Sequence, residues 1–261
     1  IVSEADIIFH LAGNTSIYKA QKDPESSQIS TLHPINYLID ASKELSRTPR
    51  VIFTSTVTVY GLTDELPVTE SEKPKPITTY DLHKLLAEEQ LATATQSNII
   101  KSTSLRLSNV YGPSQGKSSS LDRGIFNKIA KMAFMGKDIS VYGDGNYIRD
   151  YIYIDDVVSA IIKVAITENI EGMSLNVVSG VGVKIKEAFS MVADEVSRVT
   201  GIRVNVKEAP WPENTSSIEY RNFIGSNNQI CNVTGWEPKY MLKNGLGELV
   251  KFVREGGIVN E

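Results

Sequence analysis

Apolar runs alternate with stretches of helical spacing over residues 1–113 of the chain. Three runs are rich in β-branched residues and leucine, and a stretch of helical spacing follows each: ADIIFHLAG, RVIFTSTVTVYG and STSLRLSNVYG. Short continuous apolar runs are typical of strands that are buried on both faces of a parallel sheet. Their alternation with helices predicts an α/β fold, a Rossmann-like doubly wound parallel sheet.

The spacing of apolar residues also predicts where helices lie. Helices are predicted at residues 35–45, 80–94, 126–135, 156–166 and 185–200. The last one is followed by Gly201, and glycine is the residue that most often caps a helix C-terminus.

The pattern changes after residue 113. In VYGDGNYIRDYIYIDD, the pair Asp144-Gly145 predicts a hairpin turn, and IRVNVKEA alternates like a strand. No repeat or low-complexity linker separates the two parts. We therefore predict that residues 114–261 form mainly a small C-terminal substrate-binding lobe, interwoven with the sheet of residues 1–113.

Composition narrows the class of protein. The chain has 261 residues, 41% hydrophobic and 22% charged, which is typical of a soluble globular protein. A net charge of −4 without a run of Lys or Arg disfavours nucleic acid and membranes as partners. A single cysteine, Cys231, excludes an internal disulfide and favours a reducing compartment, so a cytoplasmic location is predicted.

Three predicted strands end in loops of small or polar residues. These loops read HLAG at residues 10–13, TST at 54–56 and SNVYG at 108–112. Ligands of open parallel sheets bind where the carboxyl ends of the strands meet, so the three loops predict one binding site. Gly13 would let a ligand approach the backbone closely.

A tyrosine and a lysine one helical turn apart follow the second loop. In TTYDLHK, Tyr80 and Lys84 lie on the same face of a predicted helix. The pKa of a free tyrosine is about 10, and a nearby ammonium favours the phenolate and lowers that value. Tyr18 and Lys22 have the same spacing, but no Ser- or Thr-bearing strand end precedes them, and we assign them no function.

The ordered motifs carry a resemblance to a known family. HLAG, FTSTVTVYG, YDLHK, LRLSNVYGP and VYGDGNYIRDYIYIDDV occur in this order, followed by GWEPKYMLKNGL. Together they resemble the extended short-chain dehydrogenase/reductase family, the NAD-dependent epimerases and dehydratases of nucleotide sugars. The resemblance implies an NAD-binding Rossmann part in residues 1–113 and a nucleotide-sugar-binding lobe in residues 114–261. It also implies a homodimer that packs two long helices per subunit, with residues 30–46 and 80–96 as candidates.

The resemblance also implies roles for individual residues. Thr56 would hydrogen-bond the sugar 4-oxygen, Tyr80 would exchange its proton, and Lys84 would tune Tyr80 and bind the cofactor ribose. The residues that would line NAD are Leu11, Ala12, Gly13, Thr54, Ser55, Ser108 and Val110, together with Tyr80 and Lys84. Asn109, Tyr142 and Arg149 would hold the nucleotide and diphosphate, and a guanidinium suits phosphate oxygens.

Simpler interpretations stay open for several of these residues. Arg149 could pair with Asp150, Asp155 or Asp156, and Asn109 could satisfy a turn. Asp155 and Asp156 themselves are predicted to cap a helix. His10, His33 and His83 have no ligand partners at metal spacing, so no metal site is predicted, and His83 is expected at the surface.

The sequence departs from the family pattern at four places. The first strands and the glycine-rich loop that cradles a pyrophosphate are missing, so about sixty family residues are expected before Ile1 and tight NAD binding is not expected of this chain alone. Residues 31–35 read TLHPI, which puts a proline at a helix start. Val57 and Thr58 replace the acidic residues that follow the threonine in 4,6-dehydratases. Ser216 replaces an arginine near the nucleotide, with Arg221 nearby.

These features predict an NAD-dependent nucleotide-sugar epimerase that works through a transient 4-keto intermediate. A 4-ketoreductase that consumes NAD(P)H is the alternative, and a 4,6-dehydratase is disfavoured by Val57 and Thr58. A non-catalytic NAD-binding or scaffold protein is the alternative from another class. The residue that selects NAD over NADP is not in this sequence, so the resemblance implies NAD and leaves NADP open.

Overall fold

The computed structural model describes residues 2, 4–113 and 124–256. The strands are β1 (Ile7–His10), β2 (Arg50–Thr56), β3 (Lys101–Leu107), β4 (Asn109–Tyr111), β5 (Ile139–Tyr142), β6 (Ile148–Tyr153), β7 (Ser174–Val177), β8 (Gly182–Lys184) and β9 (Val206–Ala209). The helices are α1 (Ile17–Lys22), α2 (Pro24–Lys43), α3 (Thr79–Gln96), α4 (Ile125–Phe134), α5 (Ile154–Ile166), α6 (Ile185–Thr200), α7 (Asn228–Thr234) and α8 (Leu242–Arg254). Short 3₁₀ helices lie at Val57–Tyr60 and Ser217–Tyr220.

The main sheet has the order β1-β2-β3-β7, and every pair in it is parallel. Successive side chains of a strand point to opposite faces. In β2, Val51 and Phe53 therefore pack against α2 and α3, while Ile52 packs against α5 on the other face. Helices on both faces of a parallel sheet confirm the predicted doubly wound α/β fold.

A second group of elements forms a smaller lobe. Strands β4, β6 and β8 make one sheet, β5 and β9 make another, and α4, α6 and α8 pack around Phe126. Strand β7 belongs to the main sheet, although it follows the lobe's first elements in the chain. The division at residue 113 stays a prediction, and residues 114–123 lie outside the described part of the chain.

Strand β1 departs from the prediction that all three early strands are buried on both faces. Ile7 and Phe9 are 39% and 45% exposed. Phe9 pairs with Ile52, so both residues point to the face on which α5 packs. Among the described residues, α5 contacts β2 and β3 and leaves the end strand β1 uncovered.

The predicted hairpin at Asp144-Gly145 is wrong. Strand β5 pairs with β9, whereas β6 pairs with β4 and β8. Gly145 has φ +69°, as a hairpin turn would require, but the turn carries the chain from one sheet to another. The Asp-Gly pair predicts a turn with positive φ, but it does not predict which strands pair on either side of the turn.

Helix boundaries follow local capping signals. Helix α2 begins at Pro24, where the Asp23 carboxylate accepts a hydrogen bond from Ser26 N at 3.0 Å. Pro34 therefore lies inside this helix, and the prediction that it stands at a helix start is wrong. The cap and the N-terminal proline start the helix ten residues earlier.

The predictions for α3, α4, α5 and α6 are confirmed to within two residues, with Gly201 as the left-handed cap of α6.

No described helix combines the length and the apolar character that crossing a membrane requires.

Candidate functional site

Helix α3 presents three buried side chains at four-residue intervals. Its first turn is capped by Thr78, whose hydroxyl accepts a hydrogen bond from Asp81 N at 3.2 Å. Tyr80, Lys84 and Glu88 then lie on one face, and all three are buried. This face contacts β2, β3 and the 3₁₀ helix Val57–Tyr60. The helix thus carries the predicted tyrosine and lysine to the carboxyl end of the sheet.

The ammonium of Lys84 lies where β1 and β2 end. It donates a hydrogen bond to the Thr54 carbonyl at 2.7 Å and lies 4.7 Å from the centroid of the Phe53 ring. A Cβ built on Gly13 would come 3.8 Å from this ammonium. Burial lowers the pKa of His10, and the charge of Lys84 lowers it further. A fixed positive charge therefore lies at the predicted strand-end site.

The hydroxyl of Thr56 is held at the end of β2. Thr56 caps the following 3₁₀ helix, and its Oγ1 accepts a hydrogen bond from Thr58 N at 3.2 Å. The same atom lies 2.9 Å from Thr58 Oγ1. Both threonines are buried. A hydroxyl with two local partners has a defined direction, as a group that positions a substrate oxygen needs.

The residues predicted to line NAD fall into two groups. Leu11 and Val110 are exposed at the strand ends, as is Ala12. Gly13 has φ +149°, and among the described residues other than its chain neighbours the atom nearest to a Cβ built on it is Lys84 Nζ, at 3.8 Å. An open glycine backbone beside an ammonium suits a ribose hydroxyl, so these residues fit the cofactor implied by the resemblance.

The second group of residues predicted to line NAD consists of Thr54, Ser55 and Ser108, and their hydroxyls contact other protein groups. Ser55 donates a hydrogen bond to Glu88, and Ser108 donates one to Asp150 at 3.0 Å. Thr54 Oγ1 lies 3.5 Å from the His10 carbonyl. Side chains alternate along a strand, so Ser55 points away from the face of Thr54 and Thr56. The side chains of Ser55 and Ser108 are thus occupied, which sequence spacing could not reveal.

Arg149 is buried among backbone carbonyls. Its guanidinium donates hydrogen bonds to the carbonyls of Glu219 at 2.7 Å and of Arg221, and it lies 3.8 Å from the Glu219 carboxylate. Burial, followed by the charge of Arg221, lowers the pKa of Arg149 to about 9. Among the described residues, its acidic partner is Glu219, so the simpler interpretation that it pairs with Asp150, Asp155 or Asp156 is wrong.

Tyr142 lies at the surface of an aromatic cluster. It is 49% exposed, and its ring centroid lies 5.6 Å from that of Trp211 at an interplanar angle of 34°. Trp211 also contacts Tyr147 and Tyr220. Sequence reasoning found Tyr142 alone, because Trp211, which contacts the other rings of the cluster, comes from a distant part of the chain. The rings are inclined to one another, and those of Tyr142 and Tyr220 are partly exposed.

Asn109 and Asp156 serve the fold. Asn109 donates a hydrogen bond to the Asp150 carbonyl at 2.9 Å, which joins β4 to β6 and does not close a turn, and its substrate-binding role stays a prediction. Asp156 accepts hydrogen bonds from Lys239 N at 2.9 Å and Tyr240 N at 3.0 Å. The predicted cap is wrong for both Asp155 and Asp156, because α5 begins at Ile154 and its N-cap residue Tyr153 has no side-chain capping hydrogen bond. The Asp156 carboxylate anchors a distant loop instead.

His83 was expected at the surface and is buried instead. Its Nδ1 lies 3.0 Å from the Ser27 hydroxyl, which links α3 to α2. Burial lowers its pKa. Within the described ranges, no group of three or more His, Cys, Asp or Glu side chains is arranged to hold a metal ion.

Comparisons with known proteins agree with this geometry. The model of the NAD dependent epimerase/dehydratase family matches residues 1–177. The chain is 25% identical over 250 residues to UDP-glucose 4-epimerase of Mycolicibacterium smegmatis, which covers 95% of this chain and 76% of that protein. It is 29% identical over 246 residues to GDP-6-deoxy-D-mannose reductase of Pseudomonas aeruginosa, with coverages of 92% and 78%.

A solved structure with a similar fold is that of UDP-glucose 4-epimerase of Thermotoga maritima with UDP-glucose. Its TM-score is 0.85 at 27% identity, and the match covers 96% of this chain and 78% of that one.

Proposed function

Because the chain belongs to the NAD-dependent epimerase/dehydratase family, we propose that it epimerises a nucleotide-diphosphate sugar through a transient 4-keto intermediate. The protein is an enzyme of this family, and the family's cofactor is NAD. The similarity to UDP-glucose 4-epimerases supports the isomerase reaction within the family.

One observation carries the proposal. The Lys84 ammonium lies at the ends of β1 and β2, and the buried Tyr80 precedes it by one turn on the same helix face. A positive charge beside a phenol favours the phenolate. Tyr80 is therefore suited to accept the proton of the sugar 4-hydroxyl and to return it to the 4-oxygen, while Thr56 hydrogen-bonds that oxygen.

The implied cofactor fits beside these groups. Gly13, Leu11, Ala12 and Val110 would hold it together with Lys84. When bound, NAD supplies the hydride acceptor and donor, and the reaction consumes no cofactor overall. The protein orients the sugar, places the Lys84 charge and holds the exchanged proton on Tyr80.

The aromatic cluster supports a place for the nucleotide. We expect Tyr142→Ala to raise KM for the nucleotide sugar about tenfold, with kcat nearly unchanged, because stacking of a base on an aromatic ring contributes about 1–3 kcal/mol. Steady-state kinetics measures both constants. Tyr18→Ala is the matched control, because Tyr18 is 42% exposed on α1. An unchanged KM in Tyr142→Ala would remove this residue from the binding site.

A ketoreductase is the second candidate, favoured by the 29% identity to GDP-6-deoxy-D-mannose reductase. A reductase would use the same Thr56, Tyr80 and Lys84. A 4,6-dehydratase has less support, because Val57 and Thr58 offer no acid or base at neutral pH. A scaffold without activity would not need the ammonium and phenol at the strand ends.

One experiment separates these candidates. The protein is assayed with saturating added NAD, and absorbance at about 340 nm is recorded with UDP-, dTDP-, GDP- and CDP-sugars, because reduced nicotinamide absorbs there. We expect an epimeric product without net change in absorbance. Stoichiometric consumption of added NAD(P)H with 4-keto sugars would establish a reductase. Absence of any product would favour the scaffold.

The homodimer and the cytoplasmic location stay predictions from the sequence. Helices α2 and α3 pack against each other and leave Ile29, Tyr37 and Leu82 exposed, which supports them as the dimer face. Gel filtration is expected to give a dimer, and a monomer would contradict this prediction.

A further inference from the structure

The carboxyl group of Asp150 is buried where the smaller lobe meets the main sheet. Asp150 belongs to β6, and its side chain is 0% exposed. A carboxyl group in the interior is unfavourable unless hydrogen-bond donors surround it. Because Arg149 pairs with Glu219, the donors around Asp150 come from other parts of the chain.

In the described part of the chain, five hydrogen bonds hold the two oxygens of this carboxyl group. Oδ1 accepts from the Ser179 hydroxyl at 2.8 Å, from Ser179 N at 2.9 Å and from the Ser108 hydroxyl at 3.0 Å. Oδ2 accepts from Gly180 N at 3.0 Å and more weakly from Gly225 N at 3.4 Å. A backbone N–H can only donate, so the side chain at this position must offer an acceptor on each side.

Most of these donors come from two strand ends of the main sheet. Ser108 follows β3, and Ser179 and Gly180 follow β7, the next strand of that sheet. Because β3 and β7 are parallel, both groups stand at the carboxyl edge, where ligands of such sheets bind. A residue of the smaller lobe thus fixes two loops of the main sheet at the candidate site.

Two predicted substrate residues lie directly beside these contacts. Asn109 follows Ser108, and its side chain donates a hydrogen bond to the Asp150 carbonyl at 2.9 Å. Arg149 precedes Asp150, and successive side chains of a strand point to opposite faces. With the Asp150 carboxyl group held on one face of β6, the Arg149 guanidinium is directed to the other face, where it donates to the Glu219 carbonyl at 2.7 Å.

We propose that Asp150 is a positioning residue of the nucleotide-sugar site, whose carboxyl group keeps Asn109 and Arg149 in place. It does so by holding the loop after β3 and the loop after β7 against β6. This inference rests on the proposed function, together with the predicted roles of Asn109 and Arg149 in holding the nucleotide and diphosphate. No proton or electron moves in this role, so loss of the carboxyl group acts on substrate binding.

Asp150→Asn tests this role with little change of side-chain size. An amide has one acceptor oxygen, so in either orientation its NH2 group faces a backbone N–H of Ser179 or Gly180. We expect KM for the nucleotide sugar to rise about tenfold with kcat nearly unchanged, because less ordered binding groups weaken the ground state and the transition state alike. Ser179→Ala is a milder variant that removes one hydroxyl donor, and it should raise KM about threefold.

Asp156→Asn is the matched control. Asp156 is also buried, and its carboxylate accepts hydrogen bonds from the backbone N–H groups of Lys239 and Tyr240. None of these residues belongs to the proposed site, so Asp156→Asn should lower stability without raising KM. An unchanged KM in Asp150→Asn, or an equal rise in both variants, overturns the proposal.

Hydrogen exchange gives a readout that needs no substrate. Asp150→Asn should speed exchange of the Ser179 and Gly180 amides about tenfold or more and leave the Lys239 and Tyr240 amides unchanged, because only the former lose their acceptor. Asp156→Asn should have the opposite pattern. Unchanged exchange at residues 179–180 in Asp150→Asn would show that the carboxyl group does not hold this loop.

Binding of nucleoside diphosphates separates this inference from the proposed reaction. Isothermal titration with UDP, dTDP, GDP and CDP is expected to give a Kd that rises about tenfold in Asp150→Asn and stays unchanged in Asp156→Asn. The same contrast without epimeric product from the unmodified protein would contradict the epimerase reaction and support the role of Asp150. Epimeric product with equal Kd in the unmodified protein and in Asp150→Asn would contradict the role of Asp150 alone. If none of the four binds, Asn109 and Arg149 do not hold a nucleotide and the inference is wrong.

Discussion

In the Tyr80→Phe variant, kcat is expected to fall by about 100- to 10,000-fold, because proton transfer by a positioned side chain contributes about that factor. Phenylalanine keeps the ring in its buried position on α3 and removes only the hydroxyl. KM should change little, because the hydroxyl that is lost acts on the proton being transferred in the transition state and contributes little to substrate binding. Steady-state kinetics with the nucleotide sugar that the enzyme accepts measures the effect.

The chain provides a matched control for this substitution. Tyr18 precedes Lys22 by the same four residues on α1, and it is 42% exposed. Tyr18→Phe should therefore leave kcat unchanged. If Tyr80→Phe has the same kcat as the unmodified enzyme, Tyr80 is not the acid and base of the reaction. Equal losses in both variants would point to a general structural effect.

Glu88→Ala is expected to lower the free energy of unfolding by about 3–5 kcal/mol, the range for removing one partner of a buried ion pair. Glu88 and Arg106 are both buried, and Nη2 of Arg106 lies 2.7 Å from Oε2 of Glu88. Burial acts to lower the pKa of Arg106, but the hydrogen bonds and charge of Glu88 outweigh it and raise that pKa. Without Glu88, the arginine stays charged and loses its buried counter-ion.

The ion pair also ties α3 to three strands. Ser55 of β2 and Ser174 of β7 both donate hydrogen bonds to Glu88, the latter at 3.1 Å, and Arg106 belongs to β3. Arg106 further donates to the Tyr60 hydroxyl at 2.9 Å. Since Glu88 follows Lys84 by one turn, loss of this contact should loosen the helix face that carries the proposed site.

Urea unfolding followed by two independent probes measures the destabilisation. Glu89→Ala is the control, because Glu89 is exposed on the same helix and its loss should change stability by about 0.5 kcal/mol or less. Equal midpoints for Glu88→Ala and Glu89→Ala would show that the pair contributes no more than a surface charge.

The sequence alone determined the elements whose signals are local. Helix α3 follows from the 3.6-residue period of its apolar residues, and α6 ends at the glycine that follows its pattern. The apolar runs of β2 and β3 predict strands buried on both faces. The ordered motifs were sufficient to identify the family. All of these signals span a few residues, so the chain expresses them without reference to its tertiary contacts.

Only the tertiary structure decided which distant groups meet. Glu88 and Arg106 are 18 residues apart, and Tyr60 donates a hydrogen bond to Asn176, 116 residues away. Trp211 reaches Tyr142 in the same way. A turn motif or a period describes one segment and its faces. The partner of each face depends on how the segments pack, and packing is a property of the whole chain.

Some features of the candidate site were likewise predictable from local sequence, whereas others depend on tertiary packing. The spacing of Tyr80 and Lys84 predicted a shared helix face, and the strand-end position of Thr56 followed from the β2 pattern. The hydrogen bond of Ser55 to Glu88 and that of His83 with Ser27 depend on side chains that arrive from other elements. A short-range pattern states which side chains share a face, and only the folded chain determines what that face meets.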